Sequence, residues 1–365
     1  MESPLHSLKI LLQAFRQAPV STVSGTVRSL ALRVWVPGRV TRLREMVSER
    51  PIILQVETTN ACNAACQFCA YPGMKRQKGV MDLPLFEKVM GDYVAMGGGA
   101  LTLTPIVGDP LLDPHLLERL DILERYPEIN QVTLTTNAIG LERYSDDQVR
   151  RLLSSLYCMQ LSIGGMDSET YRTMYGVDRF PQVRQAMERL IDLAQGLERP
   201  AHITFAFRTN DPAFERRFHE QLEGYRCRGV HISHIWTYAN YSGAVSGDEK
   251  INLVVARNKG EKRIACVTPS MCVGVCWDGR VTACSCADFN ADKLLIGDAR
   301  QESLAQLWKG ERRAEILASF PRGALRPICR GCSAYTPDTF FAYPCFKGVE
   351  PGKEIPLDFY HNMMT

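Results

Sequence analysis

The chain has 365 residues, enough for about two domains, and its 45% hydrophobic and 23% charged residues are an ordinary globular composition. A net charge of +3 gives no strong field for nucleic acid, and no run of about 18 apolar residues offers a membrane span. The N-terminus lacks the apolar core and small-residue cleavage site of a signal peptide, which predicts a cytoplasmic protein.

Residues 1–50 read as a basic helical arm, with Lys9, Arg16, Arg28, Arg33, Arg39, Arg42 and Arg44 set among Leu8, Ile10, Leu11, Leu12 and Phe15. Such an arm either packs on its own domain or touches a membrane surface or partner. Residues 51–56 read as a buried strand, and a cysteine-rich loop follows directly. Asp82 and Pro84 open a helix in which Phe86, Val89, Met90 and Tyr93 recur at helical spacing, and Gly97-Gly98-Gly99 ends it. Strands are predicted over 101–104, 131–135, 157–163, 202–207 and 230–235. Helices are predicted over 113–126, 145–153, 180–193 and 211–225. Six rounds of strand and helix argue for a parallel sheet with right-handed crossovers and functional loops at the C-terminal strand ends. Residues 241–265 read as a connector. Residues 266–365 break the alternation and read as a separate, metal-organised module.

The thirteen cysteines are clustered, three in 62–69, five in 266–286 and three in 329–345. In a reducing compartment such clusters read as metal ligands rather than disulfides. Cys158 and Cys227 stand alone and read as core residues. Cys62, Cys66 and Cys69 follow the first strand as Cys-x3-Cys-x2-Cys. Three thiolates hold three corners of a [4Fe-4S] cluster and leave one iron open to a ligand that is not protein. The competing reading is a zinc site, which prefers four ligands, and hence a non-catalytic zinc-binding scaffold.

This motif, with Phe68 before its last cysteine and on the loop after the first of six strands, resembles the radical S-adenosylmethionine superfamily over about residues 51–240. The resemblance implies an α/β fold, a partial (βα)6 TIM-like barrel. It implies that Cys62, Cys66 and Cys69 hold a [4Fe-4S] cluster whose open iron takes S-adenosylmethionine, and that reductive cleavage gives a 5′-deoxyadenosyl radical that abstracts hydrogen from substrate. It assigns cofactor contacts to Phe68, to Gly108 and Asp109 in Thr104-Pro105-Ile106-Val107-Gly108-Asp109-Pro110, and to Asn137, Ser162, Arg208, Asn240 and Gly243. Asp109 stands where the family carries Glu.

Residues 266–365 resemble the SPASM/Twitch extension, a small α+β iron–sulfur module, through Cys266, Gly279, Cys284, Gly297-Asp298, Leu307-Trp308 and Cys329-x2-Cys332. The full late cysteine run of that extension is broken by Asp338. The resemblance implies at least one auxiliary [4Fe-4S] cluster on Cys266, Cys284, Cys329 and Cys332, with Cys272 and Cys345 as alternative ligands of a two-cluster form. Gly279 marks a hairpin turn that brings Cys266 and Cys284 together. Cys276 and Cys286 are surplus thiols able to donate a hydrogen atom to a product radical.

The expected function is oxidation or epimerisation of a small molecule such as a carbohydrate or aminocyclitol, because the N-terminal stretch is short for a leader-binding domain. Ribosomal-peptide maturation is the alternative. The resemblance implies a flavodoxin or ferredoxin as electron donor.

Overall fold

The computed structural model describes residues 37–258, 260–342 and 355. The first 36 residues of the expected arm, and Cys345, lie outside the described residues.

The first helix, α1 (Pro37–Glu49), is the described end of the arm. Its Leu43, Met46 and Val47 are buried with Val267, Met271 and Phe341. Strand β1 (Ile53–Val56) follows, and α2 (Leu83–Ala95) begins where Asp82 accepts a hydrogen bond from the Leu85 N–H, as the sequence predicts. The alternation continues through β2 (Ala100–Thr102), α3 (Leu116–Leu123), β3 (Gln131–Thr136) and α4 (Asp146–Ser155), the last opened by a Ser145–Gln148 capping box. Then come β4 (Cys158–Ile163), α5 (Ser168–Tyr175), α6 (Phe180–Ala194) and β5 (His202–Arg208). The predicted helix over 211–225 divides into α7 (Phe214–Arg217) and α8 (His219–Cys227) before β6 (His231–Ile235).

β1 to β6 lie side by side in chain order and are parallel throughout. Leu54, Val56, Leu101, Leu134, Met159, Leu161, Phe205 and Phe207 are fully buried. Burial on both faces is what a parallel sheet covered by helices requires, and it explains the continuous apolar runs of the sequence.

The connector carries a two-stranded parallel pair, β7 (Thr237–Tyr238) and β8 (Val254–Val255). The C-terminal region contains α9 (Val267–Met271), β9 (Cys272–Val275), β10 (Arg280–Thr282), β11 (Leu295–Asp298), α10 (Leu304–Lys309), α11 (Glu311–Arg322) and α12 (Pro327–Gly331). It does not stand apart from the barrel sheet. β9 pairs with β1 in parallel, Leu54 beside Val273, so one nine-stranded sheet runs β11-β10-β9-β1-β2-β3-β4-β5-β6. The turn between β9 and β10 needs Gly279, whose φ is +100° and whose Cβ would meet Asp298 at 2.8 Å.

One further expectation changes: Cys227, read as a core residue, is exposed at the end of α8, whereas Cys158 is buried as expected. No described helix is long and apolar enough to cross a membrane.

Candidate active site

The loop that follows β1 is held on both sides. The Ala65 and Gln67 N–H groups donate to the carbonyls of Tyr175 and Met174 at the end of α5. The Tyr71 hydroxyl accepts from the Cys62 N–H at 2.9 Å, and the Cys69 sulfur accepts from the Tyr71 N–H at 3.4 Å. Phe68 stacks on Tyr238 at 4.8 Å and meets Tyr175 edge-on at 5.4 Å. These contacts turn Cys62, Cys66 and Cys69 into one cavity of about 260 Å³ at the C-terminal ends of the strands. Phe68, Gly108, Asp109, Asn137, Ser162 and Arg208 line the same cavity, as the sequence reading expects.

Burial pushes the Cys62 thiol up to about 12 and raises Cys66 and Cys69 as well, and the Arg208 guanidinium opposes the rise at the latter two. Buried thiols of this kind become thiolates when a metal supplies the compensating charge. No three described His, Cys, Asp or Glu side chains close to the spacing of a single metal ion. Three cysteines spread around one cavity suit a cluster of several irons, which is wider than one ion.

Arg208 donates from Nε to the Ser162 hydroxyl at 2.8 Å, and that hydroxyl shares a 2.7 Å hydrogen bond with Tyr175. Its guanidinium lies 5.5 Å from the Phe68 ring. The chain approaches the cavity closely at Gly108, where φ is +138° and a Cβ would meet the Asn60 backbone at 3.0 Å.

Three assigned residues do other work. The Asp109 carboxylate accepts from the Thr136 hydroxyl at 2.8 Å, the Asn137 N–H at 2.7 Å and the Leu111 N–H at 3.0 Å. It ties two strand-end loops together at the cavity wall, and burial raises its pKa to about 6. Asn240 turns away from the cavity. Its amide donates to the Gly331 carbonyl, and its side-chain oxygen accepts from the N–H groups of Ser242 and Ser333. Gly243 does not line the cavity either; its φ of +98° requires glycine, but a Cβ there would meet nothing within 4 Å. The neighbour that does line it is Tyr241, held at φ +43°, a strained conformation for a bulky side chain.

A second cavity of about 440 Å³ adjoins the first, and Thr104, Ile106, Thr135, Arg208 and Tyr241 line both. Its far wall holds Cys272, Ser285, Cys286, Thr268 and Thr336, and Gln55 and Thr102 rise from β1 and β2. Cys286 therefore faces this cavity. Cys276, the other surplus thiol, lines neither cavity and is fully buried. It sits in the field of the Glu57–Arg76 ion pair, whose two hydrogen bonds are both 2.6 Å, which removes it from reach of a substrate.

Cys266, Cys284, Cys329 and Cys332 line a third, apolar cavity of about 30 Å³ with Leu294, Phe320 and Tyr335. The four come from three places in the chain, Cys329 and Cys332 sharing one turn at the end of α12. Cys272 lines the second cavity and not this one. The turn of Gly279 brings Cys272 opposite Cys284 through the hairpin, while Cys266 arrives separately at the head of α9. Lys262, which sequence reasoning did not single out, is buried beside the set. Its ammonium donates to the carbonyls of Cys329 at 2.7 Å, Arg330 at 3.1 Å and Cys332 at 2.5 Å. One lysine in the charged stretch 259–263 of a polar connector carries no signal that would mark it.

Comparison with known proteins agrees with this geometry. Residues 56–197 match the family model of the Radical SAM superfamily, and residues 266–333 match an iron–sulfur cluster-binding domain. The GTP 3′,8-cyclase of Chlorobaculum tepidum is 30% identical over 138 residues, 38% of this chain and 40% of that protein. The GTP 3′,8-cyclase of Stenotrophomonas maltophilia is 29% identical over 150 residues, 40% of this chain and 43% of that protein. The chain thus spans less than half the length of these two relatives. Among solved structures, BtrN in complex with AdoMet and 2-DOIA superposes with a TM-score of 0.53 at 16% identity, covering 80% of this chain and 96% of that one. Streptococcus suis SuiB bound to precursor peptide SuiA gives 0.57 at 13% identity, covering 88% and 78%. At such identities the likeness is one of fold.

Proposed function

The chain belongs to the radical SAM superfamily and carries an iron–sulfur cluster-binding domain, so its cofactors are [4Fe-4S] clusters and S-adenosylmethionine; on that premise we propose that it dehydrogenates or epimerises a small polyhydroxylated molecule held between two cluster sites. Cys62, Cys66 and Cys69 would hold the first cluster, and Cys266, Cys284, Cys329 and Cys332 the auxiliary one. When bound, the first cluster supplies the electron that cleaves S-adenosylmethionine to a 5′-deoxyadenosyl radical. Arg208, which Ser162 holds at the wall of the first cavity, would pair with the carboxylate of S-adenosylmethionine, and the Gly108 backbone at the same wall would meet that molecule.

The observation that carries the reading is the second cavity. Its volume is that of a small-ligand site. Its polar lining is hydroxyl and amide groups from Gln55, Thr102, Thr104, Thr135, Thr268, Ser285 and Thr336, with Arg208 its one charged side chain among the described residues. Such a lining suits the hydroxyls of a carbohydrate or cyclitol. A nucleoside triphosphate, the substrate class named by the curated relatives, would need several cationic side chains at its phosphates.

After a C–H hydrogen atom passes to the 5′-carbon, two outcomes balance. Loss of one proton, and of one electron to the [4Fe-4S] cluster that Cys266, Cys284, Cys329 and Cys332 would hold, would give the dehydrogenated product. Return of a hydrogen atom from the Cys286 thiol to the opposite face gives the epimer and leaves a thiyl radical to be reduced by the electron donor. The test is anaerobic turnover with ring-deuterated neutral sugars and cyclitols. Deuterium in 5′-deoxyadenosine is expected, and deuterium transfer from a peptide substrate alone would overturn the reading. Solvent deuterium in the product, lost in Cys286→Ala, selects epimerisation.

A further inference from the structure

We infer that Lys262 sets the reduction potential of the auxiliary cluster site, its buried ammonium favouring the reduced state. This rests on the reading of Cys266, Cys284, Cys329 and Cys332 as a cluster set. The connector closes over the Cys329–Cys332 turn with side chains on five consecutive carbonyls. Ser242 donates to Ile328, Lys262 to Cys329, Arg330 and Cys332, Asn258 also to Arg330, and Asn240 to Gly331. Neutral donors serve two of those carbonyls without a lysine. Among the described residues only Lys262 binds the carbonyls of both cysteines, and it is the donor with a full positive charge.

That placement has an electrostatic consequence beyond capping a turn. Lys262 is 2% exposed, so water screens it little. The Tyr335 ring, which also lines the cysteine cavity, lies 5.4 Å from its ammonium. The three carbonyl contacts hold the ammonium against the turn that carries both cysteines, so its charge sits at that turn. A cluster on four thiolates is an anion and gains a further negative charge on reduction. Nearby positive charge and hydrogen bonding therefore favour the reduced form, two of the levers known to set iron–sulfur potentials. The result suits an electron acceptor for a substrate radical.

The test uses the full-length chain with Cys62, Cys66 and Cys69 all changed to Ala, so that only the auxiliary site holds iron. Lys262→Arg keeps charge and donors, Lys262→Gln keeps a donor without charge, and Lys262→Met keeps neither. Iron content is measured first, then the midpoint potential by anaerobic titration followed by electron paramagnetic resonance. Both neutral variants are expected to hold iron at the level of the background and to shift to lower potential. The shift should be at least tenfold in the reduced-to-oxidised ratio at fixed poise, which is 59 mV for one electron. Lys262→Arg should stay near the background value. An unchanged potential in an iron-replete Lys262→Gln protein would overturn the inference. So would loss of iron from both neutral variants but not from Lys262→Arg, since the ammonium would then hold the turn rather than tune the site. Absence of iron from the background protein would sink the cluster reading itself, and this inference with it.

Discussion

Asp109 shows how one buried carboxylate can be repurposed. A 2% exposed Asp with three hydrogen-bond donors would ordinarily stay ionised, yet burial outweighs the donors and lifts its pKa from 3.8 to about 6. Between those values the folded chain keeps a proton that the unfolded chain has given up. Stability from this group is therefore fully present below about pH 4 and lost as pH rises through about 6. Asp109→Asn cannot titrate. Wild type should gain on that variant by about 1.4 kcal/mol between pH 7 and pH 5, the worth of one pKa unit. Denaturant unfolding of both proteins at the two pH values measures this, and a pH-independent difference would contradict it. At this scale the sequence was readable where chemistry demands a residue type. Cys62, Cys66 and Cys69 share a cavity, and Arg208 and Ser162 meet at successive strand ends. It was unreadable where partners lie far along the chain. Nothing local shows that Asn240 is spent on Gly331 and Ser333, or that Tyr241 beside it carries the cavity wall.

Among the elements, the connector matters more than its lack of periodicity suggested. Hydrophobic pattern finds helices and strands because their faces are buried against each other. A segment whose work is to donate side-chain hydrogen bonds has no such pattern. Asn240, at the head of that segment, donates to the Gly331 carbonyl and accepts from the N–H groups of Ser242 and Ser333. Leaving such groups without partners costs about 1–3 kcal/mol each where they are buried. Asn240→Ala should therefore loosen the Cys329–Cys332 turn. Iron is expected to fall from about eight to about four per chain while S-adenosylmethionine cleavage without substrate persists. Retention of the full iron complement would show that the tie is dispensable. The β strands, by contrast, were located from apolar runs to within a few residues, because both faces of β1 to β5 are covered.

For the molecule as a whole, the parallel core was legible from strand–helix alternation, and its continuation through β9 was not. Strand pairing between residues so distant in sequence leaves no periodic trace, and the cysteine spacing drew attention to metal rather than to the hairpin. The two halves share backbone hydrogen bonds, among them Ile52 N–H to the Met271 carbonyl and Glu57 N–H to the Val275 carbonyl. A protein ending at residue 265 should expose the edge of β1, whose Leu54 and Val56 are fully buried. It is expected to aggregate on size-exclusion chromatography, where the full chain elutes as a discrete species. A monodisperse, folded truncation would refute the shared-sheet requirement.

The same pairing fixes an order of events during synthesis. β1 and the first three cysteines leave the ribosome early, and their sheet partner follows roughly 200 residues later. Until then residues 75–79 of the cysteine loop lack their cover. Asn290 on Lys75, the Phe289 carbonyl on Arg76 and the Trp277 ring over Gly79 all arrive with the hairpin region. A nascent chain thus presents its first iron-binding loop with one side open, and translation of the last hundred residues closes it. The length of that interval is the time in which the loop is at its most accessible.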